Sequence, residues 1–272
     1  VKYPLQQEQI VKWYNVCRVQ FPIYCEYWRH HEDVVKRVPI SQEEVFDAPY
    51  VIHRIESIKG PEVYAQGLVF RLRGKFDSVD SIDGKIWLQE NKTKSEIDDL
   101  ALQRQLSFDL QSMLYLTVLA KRYGWENIGG VRYNVVRRPL SGGKGTIVRH
   151  KATKNQPEET EEHYYERLKI IISDSPTEFF SRWSVPISQE EGRVFEETCL
   201  QPLLMELYHW WMWIKHATKK GLPLCSSGIH WRHPFGVTNW LNEGGSSDVD
   251  EFLRTGSRAG LTKVDTLFKE LE

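Results

Sequence analysis

The stretch Gly74–Thr93 reads GKFDSVDSIDGKIWLQENKT and predicts a β-hairpin around which the rest of the fold is arranged. The dipeptide Asp83-Gly84 at its centre suits a two-residue type I′ turn, because that turn needs positive φ at both central positions. A tight turn places Ile82 opposite Lys85 and thereby sets the register of the two strands. A one-residue bulge would break this register.

In this register three charged side chains converge on one face. Asp77 lies directly opposite Glu90, and Lys92 shares the face of Glu90 because strand side chains alternate with a period of two. Like charges placed opposite one another are destabilising, so a divalent cation between the carboxylates would explain why both are present. Mg²⁺ prefers carboxylate oxygens and can activate water for attack on a phosphate. The alternative is a solvated strand face with incidental charges.

Three short motifs follow one another around this hairpin and the next predicted helix. They are Gly74-Lys75-Phe76-Asp77 as G-x-x-D, Glu90-Asn91-Lys92 as E-x-K, and Gln111-Ser112-Met113-Leu114-Tyr115 as Q-x-x-x-Y. In order and spacing they resemble the PD-(D/E)XK nucleases, and within that family the RecB-like and phage-type exonucleases. The resemblance runs from about Val45 through Trp211.

The resemblance implies roles for individual residues. The implied catalytic set is Asp77, Glu90, Lys92, Gln111 and Tyr115, and the implied metal ligands are Asp77, Glu90 and a main-chain carbonyl of Glu90 or Asn91. One or two Mg²⁺ or Mn²⁺ ions are expected there, with Lys92 as the catalytic lysine. Gln111 and Tyr115 are expected to brace the site or to touch the DNA backbone. For Tyr115 the alternative is a half-buried aromatic residue that only packs.

The order of predicted elements indicates an α/β fold. Strand, hairpin, helix and strand predict a restriction-endonuclease-like core, a central mixed β-sheet flanked by helices, with added C-terminal helices. The predicted strands are 45–46, 50–58, 64–72, the two of the hairpin, 130–138 and 179–187. The predicted helices are 1–36 with an interruption at Pro22, 95–123 with Ser95 as N-cap and Gly124 at its end, 158–174, and 188–216 with a bend at Pro202. The residues of the last helix assigned to the core are Leu203, Leu204, Leu207, Trp210, Trp211 and Ile214.

A basic stretch follows the strand at 130–138. No acidic residue occurs between Gly129 and Pro157, and a hairpin centred on Ser141–Gly145 is expected there. Phosphate contacts provide affinity without reading sequence, so this segment suits a DNA backbone. The residues expected to bind DNA are Arg137, Arg138, Lys144, Arg149 and Lys151. The alternative is a solvated, lysine-rich loop.

Composition narrows the class of protein. The chain has 272 residues, 40% of them hydrophobic, and a formal net charge of −1, so affinity for DNA must come from local patches. The apolar run 203–214 is too short to span a bilayer, and no signal peptide is visible. The cysteines form no C-x-x-C pair, which favours reduced thiols in the cytoplasm, the host cytoplasm for a viral protein. No iron–sulfur cluster is expected, although Cys225 with His230 and His233 is an alternative metal site.

Residues 1–240 are predicted to form the nuclease domain, with a basic insertion at about 139–157. Residues 241–272 are predicted to be a flexible linker and a short terminal helix, suited to docking on a partner or a neighbouring subunit. The chain begins with Val1, which indicates a piece of a longer product. RecB-like nucleases usually supply a further ligand from an early helix, for which the candidates are Glu26, His30, His31 and Glu32; the alternative is a surface helix that carries ordinary charges.

The function expected from these features is metal-dependent hydrolysis of DNA. The resemblance favours an exonuclease of phage-type recombination or DNA processing. The expected partners are DNA and a helicase or recombination protein, and a homo-oligomer is also expected. No membrane association is expected. One alternative is a non-catalytic DNA-binding module on a nuclease fold. Another is a glycosidase-type hydrolase that uses Asp77 and Glu90 as an acid–base pair.

Overall fold

The computed structural model describes residues 4–59, 62–106, 109–140, 146–154 and 157–220. In these ranges the helices are α1 Pro4–Trp28, α2 Glu32–Val35, α3 Asp99–Leu106, α4 Leu110–Tyr123, α5 Glu161–Asp174, α6 Gln189–Phe195 and α7 Gln201–Lys219. The strands are β1 Val38–Lys59, β2 Glu62–Ile82, β3 Lys85–Lys94, β4 Ile128–Arg137 and β5 Phe180–Pro186. Short 3₁₀ turns cover Trp125–Asn127 and Pro176–Glu178, and a π-helical turn, Glu196–Leu200, joins α6 to α7.

The strands form one mixed sheet in the order β1-β2-β3-β4-β5. The pairs β2–β3 and β4–β5 are antiparallel, whereas β3–β4 is parallel. A parallel pair needs a crossover connection, and α3 and α4 lie between β3 and β4 in the chain. The predicted α/β architecture, a mixed sheet flanked by helices, is confirmed.

The hairpin between β2 and β3 forms as predicted. Asp83 and Gly84 have φ angles of 50° and 78°, the positive values that a type I′ turn requires. The pairing runs from Ile82 with Lys85 to Ser78 with Gln89. Asp77 and Glu90 directly follow the last pair, Ser78 with Gln89, at the open end of the hairpin.

The two faces of the sheet meet different helices, as adjacent residues of β4 show. The Tyr133 hydroxyl lies 2.9 Å from both the Leu106 carbonyl oxygen and Ser112 Oγ, so Tyr133 faces α3 and α4. Asn134 faces α1, where the Tyr24 hydroxyl donates to Asn134 Oδ1 at 3.0 Å. On that second side α1, α5, the start of β5 and the residue before it share a buried cluster of Val16, Trp28, Leu168, Ile172, Phe179 and Phe180.

Two elements are continuous where the sequence predicted a break. α1 runs through Pro22, because Gln20 and Tyr24 on either side of it hydrogen-bond to β4. β1 runs through Asp47-Ala48-Pro49. That strand is last in the sheet order, and an edge strand tolerates proline because one row of its N–H groups needs no partner strand. The predicted turn at Gly60-Pro61 lies outside the described residues.

The predicted helix 95–123 is instead two helices, α3 and α4. Asp109 caps the second one, since its side chain accepts a hydrogen bond from the Ser112 N–H at 3.1 Å. Ser95 is not a helix cap. The predicted end of α4 is confirmed, because Gly124 has a φ of 86° and its N–H bonds to the Ala120 carbonyl.

α7 buries fewer side chains than its sequence predicts. Leu204 is 7% exposed, but Leu207 and Trp211 are 44% and 54% exposed, so their assignment to the core is wrong in the described part of the chain. Helical spacing identifies an apolar face without showing what lies against it. Pro202, where a bend or break was expected, is the second residue of α7 and directly follows the π-helical turn.

The described residues fall into two compact units. The first lies within residues 1–48 and 72–193, and the second within 49–71 and from 194 onward. All residues of the candidate site belong to the first unit. The predicted boundary at residue 240 and the terminal helix at 261–271 lie outside the described residues. Within the described chain, no helix has the length and apolar character needed to cross a bilayer.

Candidate active site

Asp77 and Asn91 meet at the open end of the hairpin. The Asn91 N–H donates to Asp77 Oδ2 at 2.8 Å, just beyond the last regular pair of the two strands, Ser78 with Gln89. The Asp77 side chain is half-buried, and within the described chain its Oδ1 makes no hydrogen bond. The main chain of β3 therefore orients this carboxylate and leaves one oxygen available.

Glu90 is the buried acid of the site. The residue is 2% exposed, and its Oε2 accepts from Lys92 Nζ at 3.1 Å. Its Oε1 is buried without a hydrogen-bond partner among the described residues. Burial raises the pKa of Glu90 to about 6; Lys92 opposes this rise, while the nearby carboxylates Asp77 and Asp109 add to it. The predicted convergence of two acids and an amine is thus present in the fold.

A hydrogen-bond chain continues from β3 to α4. Lys92 Nζ lies 3.3 Å from Gln111 Oε1, and Gln111 Nε2 lies 3.2 Å from the Tyr115 hydroxyl. The Tyr115 ring packs edge-on against Phe76 at 5.5 Å, and a Cβ on Gly74 would lie only 2.9 Å from it. Gly74 therefore allows the close packing that holds Tyr115, which combines a packing role with a hydrogen bond into the site.

Asp109 is an acid of this site that sequence reasoning missed. Its Oδ2 lies 2.6 Å from Ser112 Oγ, which the Tyr133 hydroxyl contacts in turn. The sequence did contain a signal for a helix N-cap at this position: Asp109 directly precedes the periodic apolar residues of α4, and Ser112 follows three positions later. Because Ser95 offered an equally acceptable N-cap, the sequence did not distinguish one helix from two.

Replacing Asp109 by alanine is expected to lower the free energy of unfolding by about 1 to 2 kcal/mol, because α4 loses its N-cap. Asp109→Asn is the matched control, since asparagine also accepts from the helix N–H groups and should retain most of the stability. Urea unfolding of both variants measures the difference. Equal losses in the two variants would contradict a capping role.

The donor set suits a hard divalent cation. Asp77 Oδ1 and Glu90 Oε1 are carboxylate oxygens without hydrogen bonds in the described chain. In the ranges that the structure describes, no three His, Cys, Asp or Glu side chains gather into a metal site. Mg²⁺ is commonly held by one or two carboxylates, with waters and substrate phosphates completing its shell. Two acids are therefore sufficient, and the residues present fit such an ion.

The candidates for a further metal ligand from the N-terminal helices do not lie beside Asp77 and Glu90. Glu26 forms an ion pair with Arg29 at 3.0 Å, and the His31 ring contacts Trp28 at 5.0 Å. Since α1 reaches the sheet on the Asn134 side, it lies on the face opposite Glu90. His30 is exposed, and the Glu32 side chain lies outside the description.

The predicted DNA-binding residues occupy different environments. Arg137 is 8% exposed, and its guanidinium lies 4.9 Å over the Phe179 ring. Burial limits its access to a DNA backbone. Arg149 is exposed and paired with Glu158, an acid just beyond the basic stretch. Arg138 and Lys151 are exposed, and Lys144 lies outside the description. Residues 146–154 contain no strand, and the centre of the expected hairpin, 141–145, lies outside the described residues.

Comparison with known proteins identifies a family for this chain. The sequence model of the PD-(D/E)XK nuclease superfamily matches residues 6–183, which begin within α1, include the hairpin and end within β5. The match begins earlier and ends earlier than the predicted range 45–211. No curated protein and no solved structure matches the chain. The match supports a metal-dependent nuclease that acts on DNA.

Proposed function

Because this chain belongs to the PD-(D/E)XK nuclease superfamily, we propose that it is a Mg²⁺- or Mn²⁺-dependent exonuclease that hydrolyses phosphodiester bonds of DNA. The observation that carries the proposal is the Glu90 carboxylate, buried beside Asp77 with its Oε1 unpartnered in the described chain. A buried carboxylate with an unsatisfied oxygen is costly. A bound cation removes this cost, so the arrangement is explained by metal binding rather than by stability.

The proposed metal ligands are Asp77 through Oδ1, Glu90 through Oε1, and the Asn91 main-chain carbonyl. When bound there, a divalent cation supplies a more acidic water and stabilises charge on the scissile phosphate and leaving oxygen. The protein holds the ligands in place, since the Asn91 N–H orients Asp77 and Lys92 orients Glu90.

Lys92 is proposed as the catalytic lysine. An ammonium group has three N–H donors, and two of them are directed at Glu90 Oε2 and Gln111 Oε1. The third is available to orient the attacking water or to stabilise negative charge on a phosphate oxygen. As the phosphorus–oxygen bond to water forms, the bond to the 3′ oxygen breaks.

Gln111 and Tyr115 are proposed to brace Lys92 and to contact the DNA backbone. Gln111 accepts from Lys92 and donates toward Tyr115, so the two α4 residues limit the motion of the ammonium group. The exposed Arg138 and Lys151, together with Lys144 and Arg149, are proposed to bind DNA phosphates.

The finer assignment rests on the resemblance to RecB-like and phage-type exonucleases. On that basis we place the enzyme in phage-type recombination or DNA processing, in the cytoplasm of the host for a viral protein. A helicase or recombination partner and a homo-oligomer are proposed on the same ground.

Incubation of end-labelled linear DNA and covalently closed circular DNA, with Mn²⁺ or with EDTA, tests the function. We expect Mn²⁺-dependent release of nucleotides from linear DNA and an intact circle. Cleavage of both substrates would indicate an endonuclease. If neither is cleaved with Mn²⁺, the nuclease proposal fails, and a salt-dependent gel shift with the same DNA would then favour a non-catalytic binding module.

A further inference from the structure

A partly buried hydrogen-bond network lies on the side of β3 opposite Glu90 and Lys92. Asn91 Oδ1 accepts from Asn134 Nδ2 at 2.9 Å and lies 3.5 Å from Gln89 Nε2. Asn91 and Asn134 are direct partners in the parallel pair β3–β4. Asn134 is 6% exposed, so its amide must find its hydrogen bonds within the protein.

The other end of the Asn134 amide is held by α1 and β5. Asn134 Oδ1 accepts from the Tyr24 hydroxyl at 3.0 Å and lies 3.3 Å from Arg182 Nη2. Arg182 Nη2 also donates to the Tyr24 hydroxyl at 2.8 Å, and its guanidinium lies 4.1 Å over the Trp28 ring. With both ends bonded, the orientation of Asn134 is set by elements on two sides of it.

Asn91 links this network to the candidate site. Its side chain belongs to the network, while its N–H orients Asp77 on the other side of the strand. Its chain neighbours are Glu90 and Lys92, so a rotation of the Asn91 backbone would move all three charged groups. Small displacements of this kind are costly, since a shift of about 1 Å can lower catalysis about 100-fold.

We propose that Asn134, held by Tyr24 and Arg182, is a positioning residue: it fixes Asn91 and thereby places the charged groups of the proposed nuclease site. This inference rests on the proposed function. Folding stability alone explains the network poorly. Each hydrogen bond contributes only about 1 kcal/mol net to stability, and replacing all the bonded polar groups by apolar groups of the same shape can leave stability unchanged.

Three substitutions separate positioning from general stability. Asn134→Leu has a similar volume and removes every hydrogen bond of the amide. Asn134→Asp keeps a carboxylate oxygen that accepts from Tyr24 and Arg182. Its other oxygen can accept from Asn91 Nδ2 after the Asn91 amide flips by about 180°. Tyr24→Phe removes only the hydroxyl from α1, so it carries the test if Asn134→Leu does not fold. The matched control is Gln20→Leu, because Gln20 also joins α1 to β4, through the Arg137 carbonyl at 2.8 Å, and makes no side-chain hydrogen bond to β3 among the described residues.

The experiment measures kcat and KM on linear DNA, Mn²⁺ affinity by calorimetry without DNA, and the melting temperature. We expect Asn134→Leu to lower kcat and Mn²⁺ affinity about 10- to 100-fold with KM for DNA nearly unchanged, because outer residues that orient ligands have effects of this size. Asn134→Asp is expected to recover most of the loss, and Tyr24→Phe to show a smaller loss.

Two outcomes overturn the inference while the wild type remains an active nuclease. One is normal kcat and Mn²⁺ affinity in Asn134→Leu, or in Tyr24→Phe where the first variant does not fold. The other is an equal loss in the Gln20→Leu control. A wild-type protein that neither binds Mn²⁺ nor cleaves DNA overturns the proposed function itself, and the inference with it.

Discussion

Replacing Lys92 by alanine is expected to lower kcat for DNA hydrolysis by about 100- to 1,000-fold, the usual effect of removing one donor that acts in the transition state. DNA affinity should be nearly unchanged, because Lys92 is mostly enclosed by Glu90 and Gln111. Without the ammonium group the pKa of Glu90 should rise further, since Lys92 opposes its upward shift. The acidic limb of the pH–rate profile should therefore move to higher pH.

Lys85→Ala is the matched control for this prediction. Lys85 lies on the same strand at the hairpin end, is exposed, and donates to the Glu126 carbonyl. Its replacement should leave kcat, KM and the pH–rate profile near those of the wild type. Normal turnover in Lys92→Ala would remove Lys92 from the mechanism, whereas an equal loss in both variants would indicate a nonspecific effect of reduced charge.

Replacing Glu90 by glutamine is expected to abolish metal-dependent cleavage and yet to stabilise the metal-free protein. The pKa of Glu90 is about 6 in the folded chain, against an ordinary value of 4.5. A carboxyl group with a raised pKa binds its proton more tightly in the folded state, so ionised Glu90 reduces stability above pH 6. Each pKa unit corresponds to about 1.4 kcal/mol, and the metal-free variant should gain about 2 kcal/mol at pH 8.

The direction of the pH dependence follows from the same shift. The stability that protonated Glu90 contributes is fully present below pH 4.5 and is lost as the pH rises through about 6. In EDTA, the stability difference between Glu90→Gln and wild type should therefore grow between these two pH values and then level off. Chemical unfolding at a series of pH values measures it.

Added Mg²⁺ should reverse the relative stability of the wild type and Glu90→Gln. A cation that binds the folded wild type raises its stability by mass action, and Glu90→Gln should lack most of this gain. Glu166→Gln, which removes an exposed acid in the middle of α5, is the control and should retain both cleavage and the Mg²⁺ response. Equal stabilisation of wild type and Glu90→Gln by Mg²⁺ would argue against Glu90 as a ligand.

Much of the site follows from local sequence rules. The turn at Asp83-Gly84 and a period of two placed Asp77 near Glu90 and Lys92, because turn type and loop length fix the register of a hairpin without a bulge. The spacing of Gln111 and Tyr115, one helical turn apart, likewise predicted their contact.

Other features depend on groups that are distant in the sequence. The break before Asp109 was not predicted, since Ser95 and Asp109 are both acceptable caps and only packing selects between them. The exposure of Leu207 and Trp211 was missed for a related reason: periodicity shows that residues share a face but not whether a neighbour covers it.

By itself, the sequence determined the hairpin, the mixed α/β order of elements and the three charged side chains on one face of the β2–β3 hairpin. These are consequences of backbone geometry over a few residues. Only the tertiary structure decided that Glu90 is buried enough to have a raised pKa, that Arg137 is enclosed, and that Tyr24 and Arg182 reach Asn134 behind the site. Burial and hydrogen bonding between distant segments depend on how helices dock on the sheet, and no local pattern encodes that docking.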